Sequence, residues 1–255
     1  MEEKFFNAAF DGKVEKLEDI LRNHPTLNVN WQDNSGWSTL QDACYNGQEP
    51  VVSMLLAHPD IDVNLRDRTG WTPFMRATIS GSTPCIRVML KDLRVRVNQP
   101  MDDGYTPLFW ASHGGDFDVV RWWIASGREM DLGEPGNSRT DAIDGAKKNG
   151  KTEVVALLER FKENPEETRH AMRVELGLLD ELAAEMFALV VFVSDGLLQV
   201  NDTTPSPAAK FLSIAAQLPL ELQMVLCYRL IGSDKEIIHG KDSEVAFKSL
   251  ARKLW

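Results

Sequence analysis

The sequence predicts an all-α protein, a solenoid of repeated two-helix units followed by a helical C-terminal module. Three observations carry this. Gly36-Trp37-Ser38, Gly70-Trp71-Thr72 and Gly104-Tyr105-Thr106 recur at a spacing of 34 residues. Asn30, Asn64 and Asn98 keep that step, as do Leu21, Leu55, Met89, Trp123 and Leu157, and Gly47, Gly81 and Gly115, so the chain is built from copies of one supersecondary unit. After Pro165 the register is lost while helical patterning continues. The predicted division is 1–164 for the repeats and 165–255 for the tail. A stack of repeats presents a surface, whereas an enzyme gathers reactive groups in a cleft, so the first expectation is recognition.

Composition narrows the partners. With 255 residues, 43% of them hydrophobic, the chain can bury a sizeable core. A formal charge of -10 and a pI near 5.0 lack the clustered Lys/Arg that nucleic acid or anionic lipid requires, so neither is expected as a partner. Cys44, Cys85 and Cys227 are far apart and odd in number, which predicts free buried thiols in a reducing compartment. Met1-Glu2-Glu3-Lys4 is charged, with no apolar signal region behind it, and the longest apolar run, Phe187 to Val193, is stopped by Ser194-Asp195-Gly196. The expected location is the cytoplasm, with the nucleus left open, and the sequon at Asn201-Asp202-Thr203 is read as unused.

Within the array, units begin near Asp33, Asp67 and Met101, with a truncated unit before them and a divergent one after. Thr72-Pro73 and Thr106-Pro107 place a capping hydroxyl and a first-turn proline at a helix start. A second helix follows the next glycine, as in Val51-Val52-Ser53-Met54-Leu55-Leu56 and Val119-Val120-Arg121-Trp122-Trp123-Ile124. Asn64 and Asn98 then fall in a turn, where a residue tolerant of the left-handed conformation is expected.

Asp67-x-x-Gly70-x-Thr72-Pro73-Phe74, followed by Gly81, Leu90 and Val97-Asn98, resembles an ankyrin repeat, and the anchors recur in register over about five units. The resemblance implies paired antiparallel helices stacked side by side with β-hairpin fingers at right angles. Thr39 departs from the pattern where proline is usual, and the unit from Glu134 to Phe161 lacks Thr-Pro and carries Pro135-Gly136-Asn137; terminal units of a solenoid are expected to deviate.

The resemblance also implies a concave binding face made by finger tips and inner helices, with the residue after each repeat glycine turned into it. That residue is Trp37, Trp71 or Tyr105, the rigid aromatic type that anchors interfaces. Around them the same logic places Asn34, Ser35, Arg68, Thr69, Asp102 and Asp103 on the fingers and Tyr45, Asn46, Ile79 and His113 on the inner helices. The competing reading is that the rings only stiffen the stack. Trp110, Trp122 and Trp123 occupy positions where the family keeps small or aliphatic core residues, and Trp123 is read as packing. Cys44 and Cys85 fall on core-facing positions.

In the tail, Glu166 to Glu175 and Leu179 to about Val200 read as helices, the second with Leu182, Met186, Leu189, Val190 and Val193 along one face. A hairpin of 189–193 with 197–200 about Asp195-Gly196 competes with that helix. Residues 201–207 form a polar linker, and shorter helices are expected near 208–217, 219–231 and 243–254. Leu218-Pro219-Leu220-Glu221-Leu222 opens the middle one, with Leu222, Val225, Leu226 and Leu230 at one-face spacing. That segment resembles the start of an F-box and the F-box-like tails of poxviral ankyrin proteins, which implies recruitment of a Skp1–cullin ubiquitin ligase. The alternative is a helical cap on the last repeat.

His24, His58, His113, His170 and His239 are scattered, with no Cys/His metal spacing, Gly240-Lys241-Asp242 lacks a phosphate-binding loop, and no nucleophile elbow occurs. The expectation is a non-enzymatic protein-binding adaptor or scaffold with no cofactor and no metal; the alternative is a substrate receptor of a Skp1–cullin-type ligase.

Overall fold

The computed structural model describes residues 1–195, 211–212, 214–231, 238 and 240–254. The expected linker at 201–207, the sequon at Asn201 and the second arm of the competing hairpin, 197–200, lie outside the described residues. The chain forms two compact units, Met1–Met172 and Arg173–Trp255.

In the first unit, five helix pairs follow one another. They are α1 (Glu2–Phe10) with α2 (Val14–Asn23), α3 (Thr39–Tyr45) with α4 (Glu49–Leu56), α5 (Pro73–Ile79) with α6 (Thr83–Lys91), α7 (Pro107–Gly114) with α8 (Phe117–Ser126), and α9 (Ala142–Lys148) with α10 (Thr152–Glu163). The odd-numbered helices pack in series as one layer and the even-numbered ones as a second. The helix α11 (Pro165–Glu175) follows.

Local chemistry sets the starts. Thr72 and Thr106 accept from the amides of Met75 and Phe109 at 3.3 and 3.2 Å, with Pro73 and Pro107 in the first turn. Where proline is missing, before Thr39, Ser38 and Gln41 form a reciprocal capping box at 3.2 and 2.8 Å, which satisfies the donors that would otherwise be orphaned.

The fingers are minimal hairpins. The amides of Asp33, Asp67 and Met101 donate to the carbonyls of Trp37, Trp71 and Tyr105 at 2.9, 3.0 and 2.9 Å, and the amides of Gly36, Gly70 and Gly104 close the turns on Asp33, Asp67 and Met101. The pairing stops there, leaving one isolated antiparallel bridge, Gln32 with Ser38, and no strand among the described residues. Gly70 has φ +84°, and a Cβ on it would stand 2.6 Å from the amide nitrogen of Asp102 on the next finger, so both conformation and close stacking require glycine.

Asn64 and Asn98 do not serve as left-handed turn residues, since among the described residues only glycines take positive φ. Their amides instead reach the next unit. Asn30 donates to Asp60 O at 2.7 Å and accepts from the Asp62 amide at 2.8 Å. Asn64 does the same with Arg94 O and the Arg96 amide, both at 2.8 Å, and Asn98 with Glu129 O and the Asp131 amide at 3.3 and 3.2 Å. A primary amide carries a donor and an acceptor side by side, which fits two backbone groups of one loop at once.

Leu55, Met89, Trp123 and Leu157, one register position in successive units, are buried, and Leu21 of the terminal unit is half-buried. Trp123 stands edge-on to Phe74 at 5.0 Å and its indole donates to Glu129 O at 3.3 Å. Cys44, Cys85 and Cys227 are free and buried.

In the second unit, α12 (Leu179–Ser194) packs against α13 (Leu220–Leu230) and α14 (Gly240–Leu254). Residues 189–194 are helical, which excludes the hairpin arm at 189–193. The buried side of α12 is Ala183, Ala184, Phe187, Ala188 and Val190, whereas Leu182, Met186, Leu189 and Val193 are half-buried, because alanines let neighbouring helices approach closely. On α13 the core side is Gln223, Cys227 and Tyr228, whose hydroxyl donates to Asp180 at 3.2 Å. The Leu222, Val225, Leu226 and Leu230 stripe is not the buried one. Leu222 and Leu230 are 52% and 51% exposed, and Val225 and Leu226 are half-buried.

Leu55→Ala should lower the stability of the repeat unit by about 2–5 kcal/mol. The same change at Leu93, 84% exposed, should stay within about 0.5 kcal/mol. Urea denaturation of the two variants side by side measures both, and equal midpoints would show that Leu55 is not in the core.

Candidate functional site

The side chain after each finger glycine lies over the layer of odd-numbered helices. Trp37, Trp71 and Tyr105 are each half-buried. Between them comes the helix register position held by Asp42 on α3, Arg76 on α5 and Trp110 on α7. The Arg76 guanidinium carbon is 3.8 Å from the Trp37 ring centroid and 4.6 Å from that of Trp71, and the same group pairs with the buried Asp67 carboxylate. Trp71 stacks on Trp110 at 5.9 Å with 29° between planes, and Trp110 meets Tyr105 at 5.2 Å and His113 at 5.7 Å. At the other end Tyr45 stands edge-on to Trp37 at 5.5 Å. The result is a continuous ladder, Tyr45–Trp37–Arg76–Trp71–Trp110–Tyr105, with His113 and Phe109 against its far end.

The predicted residues divide by role. Tyr45, Ile79 and His113, at one register position three helices in a row, are exposed. Asn34, Ser35, Arg68, Thr69, Asp102 and Asp103 are exposed on the finger turns. Of these, Asp102 pairs with Arg66 at 2.7 Å and the Thr69 hydroxyl donates to Asp67 at 2.8 Å, so both brace the turns. Asn46 is exposed as well, but its amide is engaged with Asp42, donating to its carbonyl and its carboxylate at 2.9 and 3.2 Å. Two ladder members escaped the sequence reading. Trp110 is not a core residue but a half-buried rung, and its indole N–H is buried without an acceptor. Arg76 gave no local signal; comparison of 42, 76 and 110 as one register position would have set a cation between two tryptophans.

The carboxyls at the site sit in opposite environments. Burial tends to raise the Asp67 carboxyl, but the amide and hydroxyl of Thr69, the Arg76 guanidinium and the Trp71 amide outweigh it and hold it below the ordinary carboxylate value. Burial drives the Asp42 carboxyl up to about 6; the Asn46 amide opposes this and the nearby charge of Asp33 adds to it.

Comparison with protein families finds a model of ankyrin repeats in three copies, matching residues 5–101 and 61–134 and together spanning half of the chain. The chain belongs to the ankyrin-repeat family. The matched residues hold the whole aromatic ladder and end before α9, whose finger is the divergent one with Pro135-Gly136. No curated protein matches the chain. Among the described residues no helix of this ankyrin protein is long and apolar enough to cross a membrane.

Asp42 makes stability depend on pH. Its folded-state pKa lies above its ordinary value of 3.8, so the folded chain holds that proton more tightly. The stability it contributes is whole below about pH 4 and is lost as pH rises through about 6. Asp42→Asn should therefore raise the thermal midpoint at about pH 7.5 and much less at about pH 4.5. Equal gains at both would remove burial of the charge as the cause.

Proposed function

We propose that this ankyrin protein is a non-enzymatic adaptor or scaffold that holds a protein partner on the finger-and-inner-helix face, the concave face of the family. The observation that carries this is the ladder of rings running from exposed Tyr45 to exposed His113, with exposed Ile79 at the same helix register between them. Its rungs are held in place by one another and by Arg76, so little side-chain entropy is left to lose on binding. Ankyrin repeats are in general protein-interaction modules, which agrees with this reading.

Because Trp37 and Trp71 also enclose Arg76, truncating them would disturb the stack itself, and the cleaner test uses the exposed register. Tyr45→Ala with Ile79→Ala should leave the thermal midpoint nearly unchanged. Affinity for a partner co-purified from the native host should fall by more than about 2 kcal/mol, as hot-spot truncations do. Unchanged affinity would place the interface elsewhere.

A second reading, substrate receptor of a Skp1–cullin-type ubiquitin ligase, is favoured by the exposed Leu222 and Leu230 on α13. A docking helix needs an apolar face that its own core does not use. Leu222→Glu with Leu230→Glu should abolish co-purification of Skp1-like and cullin subunits while the second unit stays folded. Their absence from the unmodified chain's complexes would leave the adaptor reading alone.

A further inference from the structure

One repeat serves as the template for its neighbour. In the unit that starts at Asp67, the finger carboxylate uses Oδ1 to hold its own turn, accepting from the Thr69 and Trp71 amides at 2.8 and 3.1 Å, and Oδ2 to bind Arg76. One unit earlier the turn is built alike, with Asp33 Oδ1 accepting from the Ser35 and Trp37 amides, both at 2.8 Å. The residue at the register of Arg76, however, is Asp42. No cation pairs with Asp33 or Asp42 among the described residues. Asp42 is 6% exposed, and its Oδ2 is buried with no hydrogen-bond partner. Two carboxyls thus stand where the next unit has a carboxylate and a guanidinium.

We propose that this place, bounded by Asp33, Asp42, Trp37 and Tyr45, takes the cationic side chain of a lysine or arginine from the protein partner. The inference rests on the reading that this face binds protein. An incoming ammonium or guanidinium beside the half-buried Asp33 supplies the charge that Arg76 supplies to Asp67, and its field offsets the nearby buried Asp42 carboxylate, whose Oδ1 is held by Asn46 and whose Oδ2 has no partner. The Trp37 and Tyr45 rings, 5.5 Å apart, add π surface of the kind already used by Arg76, whose guanidinium lies 3.8 Å from Trp37. The chain's net charge of -10 attracts a basic segment at long range.

The probe is a random peptide library displayed on phage and selected on the immobilised full chain, with the enriched peptides then measured against Asp42→Asn, Asp42→Arg and Ile79→Asp. Asp42→Arg fills the place from within, as Arg76 does one unit on; Asp42→Asn removes the charge with almost no change of shape. The enriched peptides should share a Lys or Arg whose replacement by alanine weakens binding at least about tenfold, and both Asp42 variants should weaken it to the same degree. Circular dichroism melting checks that each variant is folded, and if Asp42→Arg is not, Asp42→Asn decides. Peptides that depend on Ile79 but share no basic residue, or that bind Asp42→Asn unchanged, overturn the cation site and leave the protein-binding face standing. A selection in which no peptide responds to Ile79→Asp or to either Asp42 variant overturns both.

Discussion

A helix pair has two apolar sides and can cover neither by itself. The pair α5 and α6 is stable only because α3 and α4 stand on one side and α7 and α8 on the other, so the position of every side chain follows from a step of 34 residues between neighbours. Apolar burial supplies the drive, but it is indifferent to small slips of register. Directional bonds are not. Asn30, Asn64 and Asn98 each grip the next unit's loop by two backbone groups. Gln32 and Arg66 reach the carbonyls of Arg66 and Pro100 in the following unit at 2.9 and 3.2 Å. The stack is therefore packed by hydrophobic area and indexed by hydrogen bonds.

The aromatic ladder is a consequence of that indexing. The three regular fingers each deliver one ring, Trp37, Trp71 and Tyr105, and α3, α5 and α7 each deliver one side chain at the register beside it. At the centre the delivered side chain is Arg76, which meets a tryptophan from its own unit and one from the unit before. A desolvated cation between two rings is worth about 2 kcal/mol or more, and here it also neutralises Asp67, which burial alone would penalise. The rings are consequently structural and available at once. Trp37 and Trp71 hold Arg76 with part of their surface, and Tyr45, Ile79 and His113 extend the same face into solvent. Rigidity of this kind removes the ordering penalty that flexible surface residues incur on binding.

What was legible in the sequence was whatever repeats. The glycines, the Thr-Pro helix starts and the Leu55, Met89, Trp123 series depend on position within a unit, and one chain shows that position several times. What was not legible depends on neighbours across units. Asn64 has the composition of a left-handed turn residue, yet its partner atoms belong to residues 94 and 96. Trp110 has the size of a core residue, yet its register position faces the fingers, while Trp123 lies in the interior against Phe74. Arg76 is an ordinary surface arginine until Trp37 of the preceding unit is placed against it. The tail offered no repeat to average over, and α13 is apolar on two sides, so helical spacing alone could not say which side Cys227 and Tyr228 would claim.

That ambiguity has a physical consequence for the tail. The core side of α13 is made from Gln223, Cys227 and Tyr228, with Met224 and Ile231 packed beside them. Burial pushes the Tyr228 hydroxyl up to about 12, so it stays a neutral donor to Asp180 at any ordinary pH. None of this uses Leu222 or Leu230. Leu226, between them on the helix, does pack on the core, but two exposed leucines that the core does not use can change their occupant without changing the fold. Closing its own unit and meeting something outside it would thus draw on different side chains of α13, the first on Cys227 and Tyr228 and the second on the exposed Leu222 and Leu230.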